Sequence, residues 1–180
     1  ANPITPVSPG PATTVSAPFI DITGFAEVAN SPRYNTNRAP VYPTGLAISR
    51  DGRNLFVANN LGDSLGIVKD VGGERRLVRV DLRHADNRDL QIYPYGVVLK
   101  SRERSLSRSD DAGVLKAYVS CWNDSSVAIV NPGQADKVSY VRVGSHPTKM
   151  LLSADQTRLF VVNSDDDSVS VVDTVTDKEI

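Results

Sequence analysis

An all-β chain built from a repeated sheet unit is what this sequence predicts, and three observations carry the prediction. The first is a landmark that recurs: Pro43, Pro94 and Pro147 each head a short apolar run, at spacings of 94 − 43 = 51 and 147 − 94 = 53 residues. The second is register beyond that landmark. Phe56, Tyr118 and Phe160 fall in line, as do Asn59, Cys121 and Asn163; further on come Ser64, Ser126 and Ser168, followed by Leu65, Val127 and Val169. The third is patterning. Each copy holds short runs rich in Val, Ile, Leu and Phe, bounded by Asp, Asn, Gly and Ser, which is strand chemistry. No window sustains the 3.6-residue period of a surface helix. The period is close to the roughly 40–50 residues of a four-stranded propeller blade. The expected architecture is therefore a partial β-propeller of about three four-stranded blades, the third incomplete.

Taken in order, residues 1–41 form an expected extended arm. Pro3, Pro6, Pro9, Pro11 and Pro18 stand among Ser, Thr and Ala, and prolines this close forbid helix and ladder hydrogen bonding. A strand is expected at 19–25, where Phe19-Ile20-Asp21-Ile22 alternates and Phe25 continues the apolar content. Residues 30–40 read as a polar loop. The blades are expected at about 42–92, 93–145 and 146–180. In the first, Asp51-Gly52 is a tight-turn signal between strands, and Leu77–Asp81 reads as a fourth strand. The second carries an insertion at Arg102–Gly113, strands at Val114–Ser120, Ser126–Val130 and Val138–Val143, and a turn at Asn131-Pro132-Gly133. The third uses Ala154-Asp155-Gln156 as its first turn, a less ideal one for want of glycine. Phe56-Val57-Ala58 and Phe160-Val161-Val162 are continuous rather than alternating, as suits strands covered on both faces by stacked blades.

A proline-headed first strand, a Ser-x-Asp-Gly-type turn, an aromatic-Val-x-Asn second strand and a Ser-Val-x-Val-Val-Asp third strand together resemble the YVTN-type β-propeller repeats. The likeness covers about residues 42–180 and is nearest in the third copy. The second copy departs at Cys121, where the family has Asn, and the first at Gly66 and Lys69. The resemblance implies an exported protein, periplasmic or at the cell surface, in which such repeats are sometimes fused to other domains, phosphoesterase-like ones included.

Composition narrows the partners. With 20 basic and 21 acidic residues, nothing in the charge points to nucleic acid or lipid. Arg102, Arg104 and Arg108, followed by Asp110-Asp111, read as a solvated loop. No apolar run approaches the roughly 18 residues of a membrane span. One cysteine excludes an internal disulfide and a cysteine-based zinc cluster. The first residue is Ala1 rather than Met, and with the Pro-rich opening this suggests a processed, exported end. Since propellers close with four to eight blades, further blades or another chain are expected to complete the ring.

In a propeller the loops between second and third strands share one face with the connectors between blades. That face is expected to gather Asn59 and Asp63, then Trp122, Asn123 and Asp124, then Asn163, Asp165, Asp166 and Asp167, with His84, Tyr95, His146 and Lys149 near the rim. Carboxylates and amides in this density suit a protein partner or a polar ligand, and Asp165 and Asp167 are weak candidates for calcium. EF-hand spacing is absent, and Asn and Asp at strand ends commonly bond their own backbone; Asn59 and Asn163, at equivalent positions, read as turn-makers. His146 precedes Pro147 as Tyr42 and Tyr93 precede Pro43 and Pro94, so ring packing at the head of each blade is expected of all three. Cys121 reads as a small buried filler, with no histidine placed to activate it. No nucleophile elbow, phosphate loop or dinucleotide fingerprint is present, so catalysis and a cofactor are not expected of these residues. The leading expectation is a binding or scaffold module presenting its loop face to a protein partner. The alternative is the propeller portion of a lactonase-like or phosphoesterase-fused hydrolase whose catalytic residues lie elsewhere.

Overall fold

The computed structural model describes residues 41–102, 113–135 and 137–180. The expected arm with its strand at 19–25, and most of the Arg102–Gly113 insertion, lie outside the described residues. The described residues are all-β, forming three four-stranded antiparallel sheets in up-and-down order. Sheet one comprises β1 (Pro43–Ile48), β2 (Leu55–Asn59), β3 (Ser64–Lys69) and β4 (Arg76–Asp81). Sheet two comprises β5 (Pro94–Ser101), β6 (Val114–Cys121), β7 (Ser126–Val130) and β8 (Val138–Arg142). Sheet three comprises β9 (Pro147–Leu152), β10 (Arg158–Asn163), β11 (Ser168–Asp173) and the two-residue β12 (Lys178–Glu179).

The turns repeat because their chemistry repeats. Ser49 Oγ donates to Asp51 Oδ1 at 2.6 Å and receives the Asn54 N–H at 2.9 Å; Ser153 Oγ donates to Asp155 Oδ1 at 2.5 Å and receives the Arg158 N–H at 3.0 Å. The sharp bend falls on Gly52 at φ +73° in one turn and on Gln156 at φ +56° in the other. Glycine occupies that region freely, whereas Gln156 carries a side chain into it. Its amide is put to use: Gln156 Oε1 accepts the Ser101 N–H of sheet two at 2.7 Å. Between β7 and β8, Asn131 Oδ1 accepts the Gly133 N–H at 3.0 Å.

Two cores hold the sheets against one another. Between sheets one and two lie Phe56, Ala58, Leu65 and Ile67 on one side and Val97, Ala117, Val119 and Cys121 on the other. Between sheets two and three Tyr118, Val127 and Ile129 meet Leu159, Val161 and Val172. Every central strand thus has an apolar covering on each face where it has two neighbours, which is why its sequence runs apolar without alternation. Each large aliphatic or Phe side chain buried this way contributes about 1.5–3 kcal/mol of transfer free energy.

β1, β5 and β9 lie side by side along the inner edge, and two glycines set their distance. A Cβ on Gly45 would stand 2.5 Å from the Tyr95 carbonyl oxygen, and one on Gly96 would stand 2.5 Å from that of Thr148. Polar side chains clasp the head of each next inner strand. Thr44 Oγ1 and Asn60 Nδ2 donate to Pro94 O at 3.0 and 3.2 Å, and Ser120 Oγ donates to Thr148 O at 2.6 Å. At the opposite end, Lys100 Nζ donates to Thr174 Oγ1 at 2.6 Å. Lys116 Nζ pairs with Asp177 Oδ2 at 2.6 Å, and Tyr118 Oη donates to Asp177 Oδ1 at 3.0 Å, tying sheet two to sheet three.

Candidate functional site

The β2–β3, β6–β7 and β10–β11 loops and the connectors between sheets all lie at one end, because the first strand of each sheet begins there and the second ends there. The loops obey one plan. The N–H groups of Asn60, Trp122 and Ser164 donate to the carbonyls of Tyr42, Tyr93 and His146 at 2.9, 3.1 and 3.1 Å. Those three residues ahead of the prolines take left-handed backbone, at φ +46°, +49° and +50°. The bend turns each carbonyl toward the neighbouring loop. Asp63, Ser125 and Asp167, ahead of the recurring serines, are left-handed too, at φ +42°, +50° and +48°.

Rings collect in the middle of this end. Trp122 lies between Tyr93 and His146, with centroids 6.3 Å from the first and 3.9 Å from the second. His146 Nδ1 pairs with Asp165 Oδ2 at 2.6 Å. Tyr95 and Leu61 are exposed, at 39% and 44%. Tyr42 is 62% exposed, so ring packing, expected of all three positions ahead of the prolines, holds for Tyr93 and His146 and not for Tyr42. Trp122 belongs to sheet two, which has neighbours on both sides; the equivalent of Trp122 near Tyr42 is Asn60, which offers no ring.

The carboxylates expected at the loop face divide by role. Asp63 is buried and its Oδ1 accepts the Ile92 and Tyr93 N–H groups at 2.9 and 3.1 Å. Asp124 Oδ2 meets His84 Nε2 at 2.9 Å and accepts Ser126 Oγ–H at 2.5 Å, while the His84 ring packs on Tyr140 with centroids 4.0 Å apart. Asp166 accepts the Ser145 N–H. Asn123 is exposed and gives its Nδ2 to Gln91 O at 2.7 Å. Asp165 and Asp167 are exposed, the first engaged by His146. Among the described residues no three His, Cys, Asp or Glu side chains converge as a metal cage.

Asn59 and Asn163 do not reach the loop face at all. Both are buried, at 0% and 2% exposure. They bond serine hydroxyls rather than their own backbone: Asn59 Nδ2 donates to Ser64 Oγ at 3.3 Å, and Asn163 Nδ2 donates to Ser168 and Ser170 Oγ at 3.0 and 2.9 Å. Their turn-making role is thus replaced by one inside the sheet, since a strand's last residue can still point inward. In each the side-chain carbonyl oxygen has no hydrogen-bond partner among the described residues. The same orphan at both equivalent positions marks it as a property of the repeat rather than of a binding site.

Cys121 is fully buried, and loss of solvation pushes its thiol up to about 12, so it is no nucleophile. Lys149 is exposed two residues into β9, near the loop end at which that strand begins. Sequence reasoning placed His84 near the rim without a partner; the 40-residue separation from Asp124 hid the pair. It missed the left-handed residues ahead of the prolines, for which only the recurrence of a ring-bearing residue was a signal.

No family model matches the chain, and no curated protein matches it either. Solved structures do. The hydrazine synthase of Kuenenia stuttgartiensis superposes with a TM-score of 0.62 at 20% identity, over 79% of this chain and 35% of that one. A putative 6-phosphogluconolactonase from Bacteroides fragilis gives 0.58 at 16%, over 78% and 38%. Virginiamycin B lyase from Staphylococcus aureus gives 0.55 at 14%, over 75% and 39%. The chain thus spans well under half the length of these proteins. At such identities the likeness concerns architecture alone. The three sheets match part of a β-propeller, and the rim of loops and rings described above lies at one end of that stack.

Proposed function

We propose that this chain is a non-catalytic binding module of an exported propeller protein of YVTN type, and that its loop end receives a protein partner. The observation that carries the reading is the Tyr93–Trp122–His146 row, flanked by exposed Tyr95, Tyr42 and Leu61. Tyr and Trp are the residues that concentrate binding energy at protein interfaces, and polar loops around them supply the rim. The polar groups nearest the rings are already engaged with the fold, as Asp165 is with His146, which suits a docking surface better than a reacting centre.

The test places a photoreactive aromatic amino acid at Tyr95 or at Val175, which is exposed in the turn at the other end. Both proteins are irradiated in the exported fraction. Crosslinks from position 95 to one partner, absent from 175 and reduced about tenfold by Trp122→Ala, are expected; a tenfold loss corresponds to about 1.4 kcal/mol. Equal crosslinking from both ends, or none from 95, overturns the reading.

A second reading rests on analogy of fold alone, the putative 6-phosphogluconolactonase among the similar structures being one instance. On it the chain is the propeller portion of a lactonase-like or phosphoesterase-fused hydrolase whose catalytic residues lie outside these residues.

A further inference from the structure

The two ends of the stack differ in charge. Among the described residues acidic side chains outnumber basic ones at the loop end, and basic ones outnumber acidic ones at the opposite end, where the β1–β2 and β3–β4 turns lie; the total of 20 basic and 21 acidic residues conceals this polarity. The loop end's own cations are mostly spent within the fold. Arg83 and Arg88 both grip Asp81, Arg79 Nε donates to Ser64 Oγ at 3.1 Å, and Arg142 Nη1 donates to Asp124 O at 2.7 Å. Only Lys149, among the described cations there, has no hydrogen bond or ion pair. The carboxylates are not spent in the same way. Asp86 and Asp89 are exposed on the connector that leads to Tyr93, and Asp165, Asp166 and Asp167 are exposed in the β10–β11 loop. Asp165 holds the His146 ring that packs on Trp122, and Asp166 accepts the Ser145 N–H. Among the described residues Asp86, Asp89 and Asp167 have neither a hydrogen bond nor an ion pair. The Tyr93–Trp122–His146 row thus runs between two sets of exposed negative charge.

We propose that the protein partner met by the loop end is basic, with an arginine or lysine of its docking segment laid against the Trp122 ring and its charge toward Asp166 and Asp167. This rests on the protein-partner reading of the loop end and adds the partner's chemistry to it. The face of an indole attracts a cation, and a guanidinium packs flat upon it. Carboxylates beside the ring supply the counter-charge, and the chain's own arginines, held at Asp81, Ser64 and Asp124, do not take it up. An acidic partner would meet like charge on both flanks of the row. A second copy would have to bring its basic turn end head to tail, which leaves the same two ends open for further copies. The occupant is a separate chain, and the mass of a crosslinked product distinguishes the two.

The photoreactive residue at position 95, in the same exported fraction, reads the charge of the occupant. Asp166→Asn combined with Asp167→Asn removes two charges and spares the loop: an amide oxygen at 166 still accepts the Ser145 N–H, and asparagine tolerates the left-handed backbone at 167, φ +48°. The crosslink is expected to fall roughly fivefold, as the loss of two exposed ion pairs implies. It should also fall as salt is raised from about 0.05 to about 0.5 M, which screens such pairs. Lys149→Glu, which turns the one unspent cation of this end into a carboxylate, should raise it. A yield unchanged or raised by the double variant, insensitive to salt, or lowered by Lys149→Glu overturns the basic partner and leaves the loop end a protein-binding face. A product with the mass of two copies of this chain overturns the separate occupant. No crosslink from position 95 removes the loop-end reading and this inference with it.

Discussion

Asp155 shows how much one carboxylate can do without being buried. It accepts Ser153 Oγ–H, the Thr157 N–H and Thr157 Oγ–H, and these bonds, the serine's foremost, hold its carboxyl down at about 2. The folded value is depressed below the ordinary 3.8, so the stabilising effect is fully present above that pH and fades as pH falls toward about 2. A carboxyl carbon titration by NMR should give a midpoint near that value, and Ser153→Ala should move it up toward the ordinary one. A midpoint unchanged by Ser153→Ala would remove the serine from the account. Asn59 and Asn163 teach the complementary lesson. A polar residue at a strand end can be an interior strut, and the hydroxyl it meets lies five residues on in both copies.

At the scale of the element, β5 is constrained from both sides. It has an inner-strand neighbour on each side, and Gly96 lies against the backbone of β9. Gly96→Ala forces a Cβ onto the Thr148 carbonyl oxygen, which backbone cannot yield without moving the strand. Overpacking of this kind costs about 1–3 kcal/mol, to be read from urea unfolding of the variant. Gly72→Ala, whose added carbon meets nothing within 4 Å, is the control and should shift stability by less than the Gly96 variant. Equal midpoints for the two would sink the close-approach argument. The same comparison explains why Gln156 is tolerated where Gly52 stands in the first turn: its side chain gains the Ser101 N–H of the adjacent sheet.

The molecule as a whole is a stack whose joints are specified at both ends. At the loop end Asp63 of sheet one holds the Ile92 and Tyr93 N–H groups that lead into sheet two. Asp63→Ala leaves a buried donor on Ile92 without its partner, a loss of about 1–3 kcal/mol. Hydrogen exchange should quicken first at Ile92, Tyr93 and β5 rather than across sheet three. Uniform acceleration over all three sheets would mean that the joint is not local. At the other end Lys100, Lys116 and Tyr118 converge on Thr174 and Asp177. Burial raises the Tyr118 hydroxyl's pKa well above the ordinary phenolic value, which keeps the proton it donates to Asp177.

Strand positions, turns and the repeat were legible because they rest on local physics. Two-fold-covered strands need continuous apolar runs, tight turns need Asp-Gly or its substitute, and a repeated unit must place Phe56, Tyr118 and Phe160 alike. What sequence could not reveal was which polar residue faces inward, because Asn59 and Asp165 are both polar residues near the end of a strand, and only packing buries the first and leaves the second exposed. It also could not pair His84 with Asp124, or set Trp122 between two rings, since those meetings depend on the angle at which one sheet lies on the next. Local preference writes the strands and bends; packing between distant segments chooses the partners.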